Sequence, residues 1–177
     1  IMGILNLTPD SFYDGGRFID TSTIKDRLAQ MIMDGAKIID IGAESSRPGA
    51  LPVSSEEEIT RISKVVKLIP HFPDTFFSID SCKSEVARYA LENGFTIVND
   101  IRGGDRTMFE LVKKFDAYVI IMHMLGSPEN MQDAPCYSDL IHEVYQLLRD
   151  KTNLALNIGI PPSKLIIDPG IGFGKSL

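Results

Sequence analysis

Six short apolar runs, most of them rich in β-branched residues, are distributed along the chain. Amphipathic helical patterns lie between the runs, so candidate strands and helices alternate. This alternation predicts a parallel sheet, whose covered strands are expected to read as continuous apolar runs. The runs occupy residues 4–6, 37–40, 76–80, 96–99, 118–122 and 165–168.

Most of these runs end in a carboxylate or a carboxamide. The terminal residues are Asn6, Asp40, Asp80, Asn99 and Asp168. In a (β/α)8 barrel the C-terminal strand ends build the active site. Polar side chains gathered at one rim of an apolar barrel are costly to desolvate unless they bind something. We therefore predict an α/β fold of the (β/α)8, or TIM-barrel, type with a binding site at that rim.

The length of the chain limits how much of a barrel it can form. A full barrel typically takes about 250 residues, whereas this chain has 177 residues and six strand candidates. We expect residues 1–177 to form one barrel domain that is truncated at its C-terminal end and supplies about the first six βα units. A smaller, open α/β sheet is the alternative.

Caps and breaker residues mark the helix boundaries. Ser54 and Ser55, with Glu57 and Glu58 three residues on, form a capping-box pattern, and Gly35 stands where a helix C-terminus is expected. The predicted helices cover about 22–34, 54–69, 83–93, 107–114 and 137–157. The apolar face predicted for the third helix consists of Val86, Ala87, Ala90 and Leu91, and that of the fifth consists of Leu140, Ile141, Val144, Leu147, Leu148 and Leu154. Long loops follow the first two strands, over residues 6–16 and 42–50, and such loops in compact domains are usually functional.

Composition narrows the class of protein. The formal charge of −6 disfavours a nucleic-acid partner, since duplex binding needs clustered Lys and Arg. No apolar stretch reaches the roughly 18 residues of a membrane span. Two widely spaced cysteines, Cys82 and Cys136, are expected to be free thiols, which suits a cytoplasmic protein.

Three of the rim residues suit a flat heterocycle that carries adjacent N–H groups. An ionised carboxylate only accepts hydrogen bonds, whereas a carboxamide both donates and accepts. Asp80, Asn99 and Asp168 together predict a pocket for a guanidine-like or amino-pyrimidinone edge. The alternative is that each side chain only caps the helix that follows its strand.

Other polar residues carry weaker signals. Arg47 lies in a Ser-Ser-Arg-Pro-Gly loop and can grip an anion such as pyrophosphate, although a solvated surface arginine is more common. Asn6 can offer its carbonyl oxygen to Mg²⁺, which prefers oxygen ligands. His123 ends a strand and is a candidate acid or base, or a core histidine. No His/Cys set has zinc spacing.

The segment 169–176 resembles two nucleotide-binding motifs and matches neither. A P-loop requires glycine at the position held by Pro169. The glycines of this segment fall at alternate positions, which also excludes the G-x-G-x-x-G pattern. The sequence therefore predicts neither an ATPase nor a Rossmann enzyme.

Six motifs, in order along the whole chain, resemble the dihydropteroate synthase family. That family joins 7,8-dihydropterin-6-ylmethyl diphosphate to 4-aminobenzoate, giving dihydropteroate and pyrophosphate in folate synthesis, and it is the sulfonamide target. The motifs are Asn6-Leu7-Thr8-Pro9-Asp10-Ser11-Phe12, Glu44-Ser45-Ser46-Arg47-Pro48-Gly49, Ser78-Ile79-Asp80, Val98-Asn99-Asp100-Ile101, Met122-His123-Met124 and Asp168-Pro169-Gly170-Ile171-Gly172-Phe173-Gly174-Lys175.

The resemblance assigns roles to residues of this chain. It implies that Arg47, Asp80 and Asp168 are catalytic. It implies Mg²⁺ as the cofactor, with Asn6 as its ligand. Ser46 stands where the family usually has Thr, so the hydroxyl is kept. The substrate-binding set that the resemblance implies is Ser46, Arg47, Pro48, Asp80, Asn99, Met122, Asp168 and Phe173.

The resemblance also implies groups that this chain lacks. The family's late-barrel Lys and its Arg-x-His pair lie beyond Leu177, so we expect residues 1–177 alone to be inactive. The full-length protein is expected to be a homodimer, with no nucleic-acid or membrane partner. Two alternatives stay open: a methyltetrahydrofolate-dependent methyltransferase with a corrinoid partner, which the first two loop motifs disfavour, and an inactive barrel or interaction domain.

Overall fold

One parallel sheet of six strands organises the chain. The structure, a computed structural model, describes residues 1–8, 20–45, 52–126, 131 and 135–175. The strands follow one another in the sheet in chain order, from β1 to β6. They are β1 (Met2–Asn6), β2 (Ile38–Gly42), β3 (Phe76–Asp80), β4 (Ile97–Asp100), β5 (Tyr118–Met122) and β6 (Leu165–Asp168).

A helix follows each of the first five strands within the described ranges. The helices are α1 (Thr21–Met33), α2 (Ser55–Val66), α3 (Ser84–Glu92), α4 (Arg106–Lys114) and α5 (Leu140–Ile158), with short 3-10 turns at Ile69–His71 and Pro162–Lys164. Parallel strands in sequential order, each followed by a helix, are the repeating unit of a (β/α)8 barrel. The predicted α/β barrel fold is confirmed, and the chain supplies six of its strands.

Local capping chemistry sets the helix starts. The Ser54 side chain accepts a hydrogen bond from the Glu57 backbone N–H at 3.2 Å, as the capping-box pattern predicts. The start predicted for the last helix was about three residues early. The Asp139 side chain accepts from the His142 backbone N–H at 3.0 Å, so α5 begins at Leu140.

The two faces of the sheet bury different kinds of side chain. The face toward the helices is apolar: Ile39, Ile41, Val98, Val119 and Ile121 are fully buried there. The other face, toward the barrel interior, carries Asp40, Ser78 and Asn99 in addition to apolar groups, because side chains alternate along each strand. Polar atoms therefore lie inside the barrel as well as at its rim.

Two details of the sequence prediction were wrong. The second strand does not end at Asp40 but continues to Gly42, which places Asp40 two residues inside the barrel. Ile141 was assigned to the apolar face of the last helix, yet 78% of it is exposed. It lines an open apolar groove with Tyr145 and Ile171, over which no described element lies.

The two long loops that follow the first strands fall mostly outside the described residues, since positions 9–19 and 46–51 are not among them. Among the helices that the structure describes, none combines the length and the apolar character needed to cross a membrane.

Burial on α1 predicts a sharp contrast between two apolar residues of the same helix. Leu28 is fully buried against the sheet, whereas 80% of Met33 is exposed. Leu28→Ala is expected to lower the free energy of unfolding by about 2–5 kcal/mol, because it removes buried methyl groups and leaves a cavity. Met33→Ala, the matched control, is expected to change it by less than about 0.5 kcal/mol. Chemical denaturation measures both, and equal losses would contradict this packing.

Candidate functional site

The carboxyl ends of the first four strands bring four positions into one row. Asn6 is paired in register with Gly42, Gly42 with Asp80, and Asp80 with Asn99. Neighbouring strands lie about 4.8 Å apart, and registered residues of parallel strands point to the same face. Three of the predicted site residues are therefore neighbours on the inner rim. Asn6 is exposed there, and Asp80 and Asn99 are partly buried.

Gly42 makes room for its two neighbours. A Cβ atom at this position would lie 2.7 Å from the Asn6 Oδ1 atom and 3.3 Å from the Asp80 Oδ2 atom. Both side chains therefore lean into the space above Gly42. Any other residue here would push the Asn6 carbonyl oxygen away from the Asp80 carboxyl group.

Asp168 reaches the same rim from β6, where it is paired in register with Met122. Its Oδ1 atom accepts a hydrogen bond from the Gly170 backbone N–H at 2.7 Å. One carboxylate oxygen is thus engaged by the loop that follows the strand, which is not the helix cap of the alternative interpretation. Gly170 has a φ of +65°, and a Cβ there would overlap the His123 carbonyl oxygen, so the turn requires glycine.

Met122 and Phe173 belong to one small apolar cluster beside Asp168. Met122, Met124 and Met131 are buried, and Phe173 and Ile101 pack against them. The cluster is separate from the main core between sheet and helices. It gives the β5–β6 side of the rim an apolar wall, which suits the flat face of a ring.

The carboxyl groups around Asp80 raise its pKa. Burial raises the pKa of Asp80 to about 8, with further contributions from the negative charges of Asp40, Asp100, Glu58 and Glu44, in that order. Burial also raises the pKa of Asp100. A free Asp80 is therefore largely protonated at neutral pH, and a ligand that donates hydrogen bonds or brings positive charge would favour its ionised form.

Lys83 supplies positive charge beneath this acidic rim. Its Nζ atom forms ion pairs with the fully buried Glu58 and, at 3.0 Å, with Glu44. Glu58 also accepts a hydrogen bond from the Ser81 hydroxyl at 3.0 Å. Burial lowers the pKa of Lys83, but its hydrogen bonds to Glu58 and Glu44 outweigh this effect and raise it overall.

Glu44 and Arg61 make further contacts at the two ends of the second loop. The other Glu44 oxygen accepts from the Val53 backbone N–H at 2.7 Å, and an Arg61 guanidinium N–H donates to the Ala43 carbonyl oxygen at 2.6 Å. Sequence reasoning missed Lys83, Glu58 and Glu44 as supports of the rim. The available signal was a lysine directly before α3, three residues after the end of β3, together with glutamates in the first turn of α2.

His123 is a core histidine in this structure. It is buried, and its Nδ1 atom lies 2.9 Å from the Lys175 Nζ atom. A lysine ammonium group only donates, so Nδ1 accepts and the imidazole is neutral. Burial and the Lys175 charge lower the pKa of His123, which agrees with that state. Lys175 also donates to the Phe173 carbonyl oxygen at 3.1 Å, so the pair fixes the loop after β6.

The remaining predicted residues can be placed only in part. Ser46, Arg47 and Pro48 lie outside the described residues. Over the ranges that the structure does describe, no group of three or more His, Cys, Asp or Glu side chains is arranged to hold a metal ion. The structure therefore brings together Asn6, Asp80 and Asn99 on one side of the rim, and Met122, Asp168 and Phe173 on the other.

A row of acceptors at the rim, next to an apolar wall, is the arrangement expected for a flat, N–H-rich ring. The sequence profile of a family described as pterin binding enzyme matches residues 2–177, almost the whole chain. The chain belongs to the pterin binding enzyme family. The family is named for a heterocycle of the kind that this rim suits.

Individual relatives agree with this membership. A dihydropteroate synthase from Streptococcus pyogenes is 45% identical over 179 residues, which cover all of this chain and 65% of that protein. The chain thus spans just under two thirds of the length of that curated relative.

Solved structures agree with the fold. The dihydropteroate synthase of Yersinia pestis, solved with a sulfonamide drug complex, superposes with a TM-score of 0.90 at 39% identity, covering 99% of this chain and 64% of that one. The Burkholderia cenocepacia dihydropteroate synthase, complexed with 7,8-dihydropteroate, gives a TM-score of 0.84 at 35% identity, covering 99% and 59%. These matches favour the partial barrel over the smaller open sheet.

Removing the Lys83 charge is expected to destabilise the fold. Lys83→Met keeps most of the side-chain length but leaves the Glu58 carboxylate buried without its cation. Breaking a buried ion pair costs about 3–5 kcal/mol. We expect the free energy of unfolding to fall by about 3 kcal/mol, because Lys83 is partly exposed. Lys25→Met, on the exposed face of α1, is the control and should lie within about 0.5 kcal/mol of wild type. A Lys83→Met protein as stable as wild type would contradict the role of this ion pair.

The raised pKa of Asp80 predicts a pH-dependent stability. Between its ordinary value of 3.8 and about 8, the folded protein keeps the Asp80 proton and the unfolded chain loses it. The free energy of unfolding therefore falls as pH rises through this window, by at most about 1.4 kcal/mol per pH unit. Asp80→Asn should remove this slope. Urea unfolding of both proteins from pH 4.5 to 8.5 measures the difference, and parallel curves would exclude the raised pKa.

Proposed function

We propose that the protein containing this chain is a dihydropteroate synthase. It condenses 7,8-dihydropterin-6-ylmethyl diphosphate with 4-aminobenzoate and releases pyrophosphate. The observation that carries the proposal is the joint placement of Asp80, Asn99 and Asp168 at one rim of a chain that belongs to the pterin binding enzyme family. The relative with 45% identity bears the same activity in its name.

Pterin recognition follows from the polarity of the rim. The amino-pyrimidinone edge of a pterin carries neighbouring N–H donors, and Asp168 and Asn99 provide carboxylate and carboxamide oxygens that accept them. The apolar cluster of Met122 and Phe173 lies beside Asp168, where it can cover a ring face.

The rim oxygens near β1 fit a magnesium ion. Asn6 Oδ1 and Asp80 Oδ2 lean together over Gly42, and Mg²⁺ prefers few protein oxygens completed by water and substrate phosphates. We propose that Asn6 holds the ion. When bound, Mg²⁺ stabilises negative charge that develops on the leaving diphosphate.

The chemistry needs a good leaving group more than a strong base. The bond between the pterin methylene carbon and the diphosphate oxygen breaks, and its electron pair leaves with pyrophosphate. The neutral amine of 4-aminobenzoate supplies the electron pair for the new carbon–nitrogen bond, and the resulting ammonium loses a proton to solvent. Asp168 favours positive charge on the ring as the bond breaks. Arg47 is expected to grip the diphosphate as a bidentate cation.

Other parts of the proposal rest on the family alone. Ser46 and Pro48 are expected to lie with Arg47 over the aminobenzoate and the diphosphate. The full-length protein is expected to be a cytoplasmic homodimer. The methyltransferase alternative shares the pterin-binding rim, but no observation favours it over the synthase.

The proposed activity is tested by assaying the purified full-length protein with both substrates. We expect pyrophosphate release and dihydropteroate formation in equal amounts, abolished by EDTA and restored by Mg²⁺. Omission of 4-aminobenzoate should abolish dihydropteroate formation. Transfer of a methyl group from methyltetrahydrofolate to a corrinoid, with no condensation, would refute the proposal.

Asp168→Asn is expected to weaken pterin binding at least tenfold. The substitution keeps the shape but replaces an acceptor with a group that also donates, and an unpaired buried donor costs roughly 1–3 kcal/mol. Asp26→Asn, an exposed position on α1, is the matched control. Isothermal titration of the pterin diphosphate into each protein measures the effect. Wild-type affinity in Asp168→Asn would remove this residue from the site.

A further inference from the structure

Asp40 lies directly beneath the rim, inside the barrel, and no role has yet been given to it. It is 4% exposed, and its registered neighbour on β3, Ser78, is fully buried. A carboxyl group in such a place is costly unless other groups compensate for its desolvation. Burial raises the pKa of Asp40, while the hydrogen bond from Asn99 opposes that rise.

Asp40 is joined to the rim by one hydrogen bond. The Asn99 Nδ2 atom donates to the Asp40 Oδ2 atom at 2.9 Å, across 59 residues of sequence and from a strand two places away in the sheet. The Asp40 Oδ2 atom accepts whether the carboxyl group is ionised or carries its proton on Oδ1, so it selects the amide orientation in which Nδ2 points inward. The Asn99 Oδ1 atom is then left as an acceptor.

That acceptor has no partner among the residues that the structure describes. Asn99 Oδ1 is buried and makes no hydrogen bond within the described chain, and Asp40 Oδ1 and Ser78 Oγ are in the same condition. Buried polar atoms without partners are rare in folded proteins and each requires an explanation. Asn99 stands at the rim, next to Asp80, where a ligand would supply the missing donor.

We propose that Asp40 is a positioning residue that fixes the orientation of the Asn99 carboxamide, so that the bound heterocycle meets the carbonyl oxygen and not the NH2 group. The inference rests on the proposed function and deepens it, because it states which polarity the site presents at Asn99. A carboxamide is nearly symmetric in shape, so shape alone would not choose between its two orientations. The buried carboxylate makes that choice before the ligand arrives.

This role explains why an acid is needed at position 40. Asn at this position could accept from Asn99 Nδ2 or donate to Asn99 Oδ1, so the Asn99 carboxamide would lose its fixed orientation. The flipped orientation would place a donor against the N–H groups of the ligand. A substitution that leaves packing almost unchanged is therefore expected to weaken binding through Asn99.

A double-mutant cycle tests the inference in the full-length protein. Pterin diphosphate is titrated calorimetrically, with Mg²⁺ and without 4-aminobenzoate, into wild type, Asp40→Asn, Asn99→Ala and the double variant. We expect Asp40→Asn to weaken binding about tenfold when Asn99 is present and by less than twofold when residue 99 is Ala. Equal losses in both backgrounds, or no loss in either, would overturn the proposal.

The failure of this inference differs from a failure of the proposed function. If wild type does not bind pterin diphosphate, the synthase proposal fails, whatever Asp40 does. If wild type binds and Asp40→Asn binds equally well, only the positioning role fails. The melting temperatures of all four proteins are measured as well. A merely structural role of Asp40 would lower the melting temperature and would weaken binding by the same factor in both backgrounds.

A second measurement uses no variant. Neutron diffraction of the exchanged full-length protein with bound pterin diphosphate locates the deuterium atoms on Asn99. We expect both on the nitrogen, with one directed at Asp40 and the carbonyl oxygen facing a ligand N–H. A carboxamide in the opposite orientation would overturn the proposal even if Asp40→Asn does not fold.

Discussion

The desolvation of carboxyl groups at the carboxyl edge of the sheet is the constraint on which the rest of the structure depends. Burial, together with the negative charges of Asp40, Asp100, Glu58 and Glu44, raises the pKa of Asp80. Each must be protonated, paired or hydrogen-bonded to remain in the folded protein. Lys83 pairs with two of them, Asn99 donates to Asp40, and the backbone N–H of Arg102 donates to Asp100 at 2.9 Å.

The buried polar groups along the rim are not equally compensated by partners within the protein. This difference distinguishes the groups that support the rim from those that are available to a ligand. Glu44 and Glu58 both pair with Lys83. Glu44 also accepts from the Val53 backbone N–H, and Glu58 accepts from the Ser81 hydroxyl. Asp80 instead keeps a raised pKa, and Asn99 Oδ1 has no partner in the described chain. These two groups remain available to a ligand whose edge donates hydrogen bonds. The ion pairs of Lys83 support the rim next to the loop that carries Arg47, while Asn99 Oδ1 has no partner in the described chain and lies at the edge where we propose that the ring binds.

Local sequence patterns predicted much of this fold, because short stretches of sequence determine strands and helix caps. The strands 76–80, 118–122 and 165–168 begin and end as predicted, since apolar runs bounded by polar or turn residues are local signals. The inward face predicted for the third helix, with Val86, Ala87, Ala90 and Leu91, is also correct. The sequence predicts a strand end at Asp40, where a carboxylate interrupts the apolar run. In the structure, Asp40 lies inside the strand and accepts a hydrogen bond from Asn99 within the barrel.

Long-range contacts were beyond the reach of such reasoning. The pairs of Asn99 with Asp40 and of Lys83 with Glu44 span 59 and 39 residues, and no local periodicity indicates which charged group meets which. Asp80, Asn99 and Asp168 were identified because barrel topology gathers strand ends. The residues that support them were missed, because Asp40 lies one layer of side chains below the rim and Lys83 pairs with glutamates of a neighbouring βα unit.

The central claim is that Asp80, Asn99 and Asp168 together bind a pterin. A crystal structure of the full-length protein with the pterin diphosphate tests it most directly. We expect the pterin ring to lie within hydrogen-bond distance of Asp80, Asn99 and Asp168, with Met122 or Phe173 against its face. A ring that binds elsewhere, or that contacts none of the three residues, would contradict this claim.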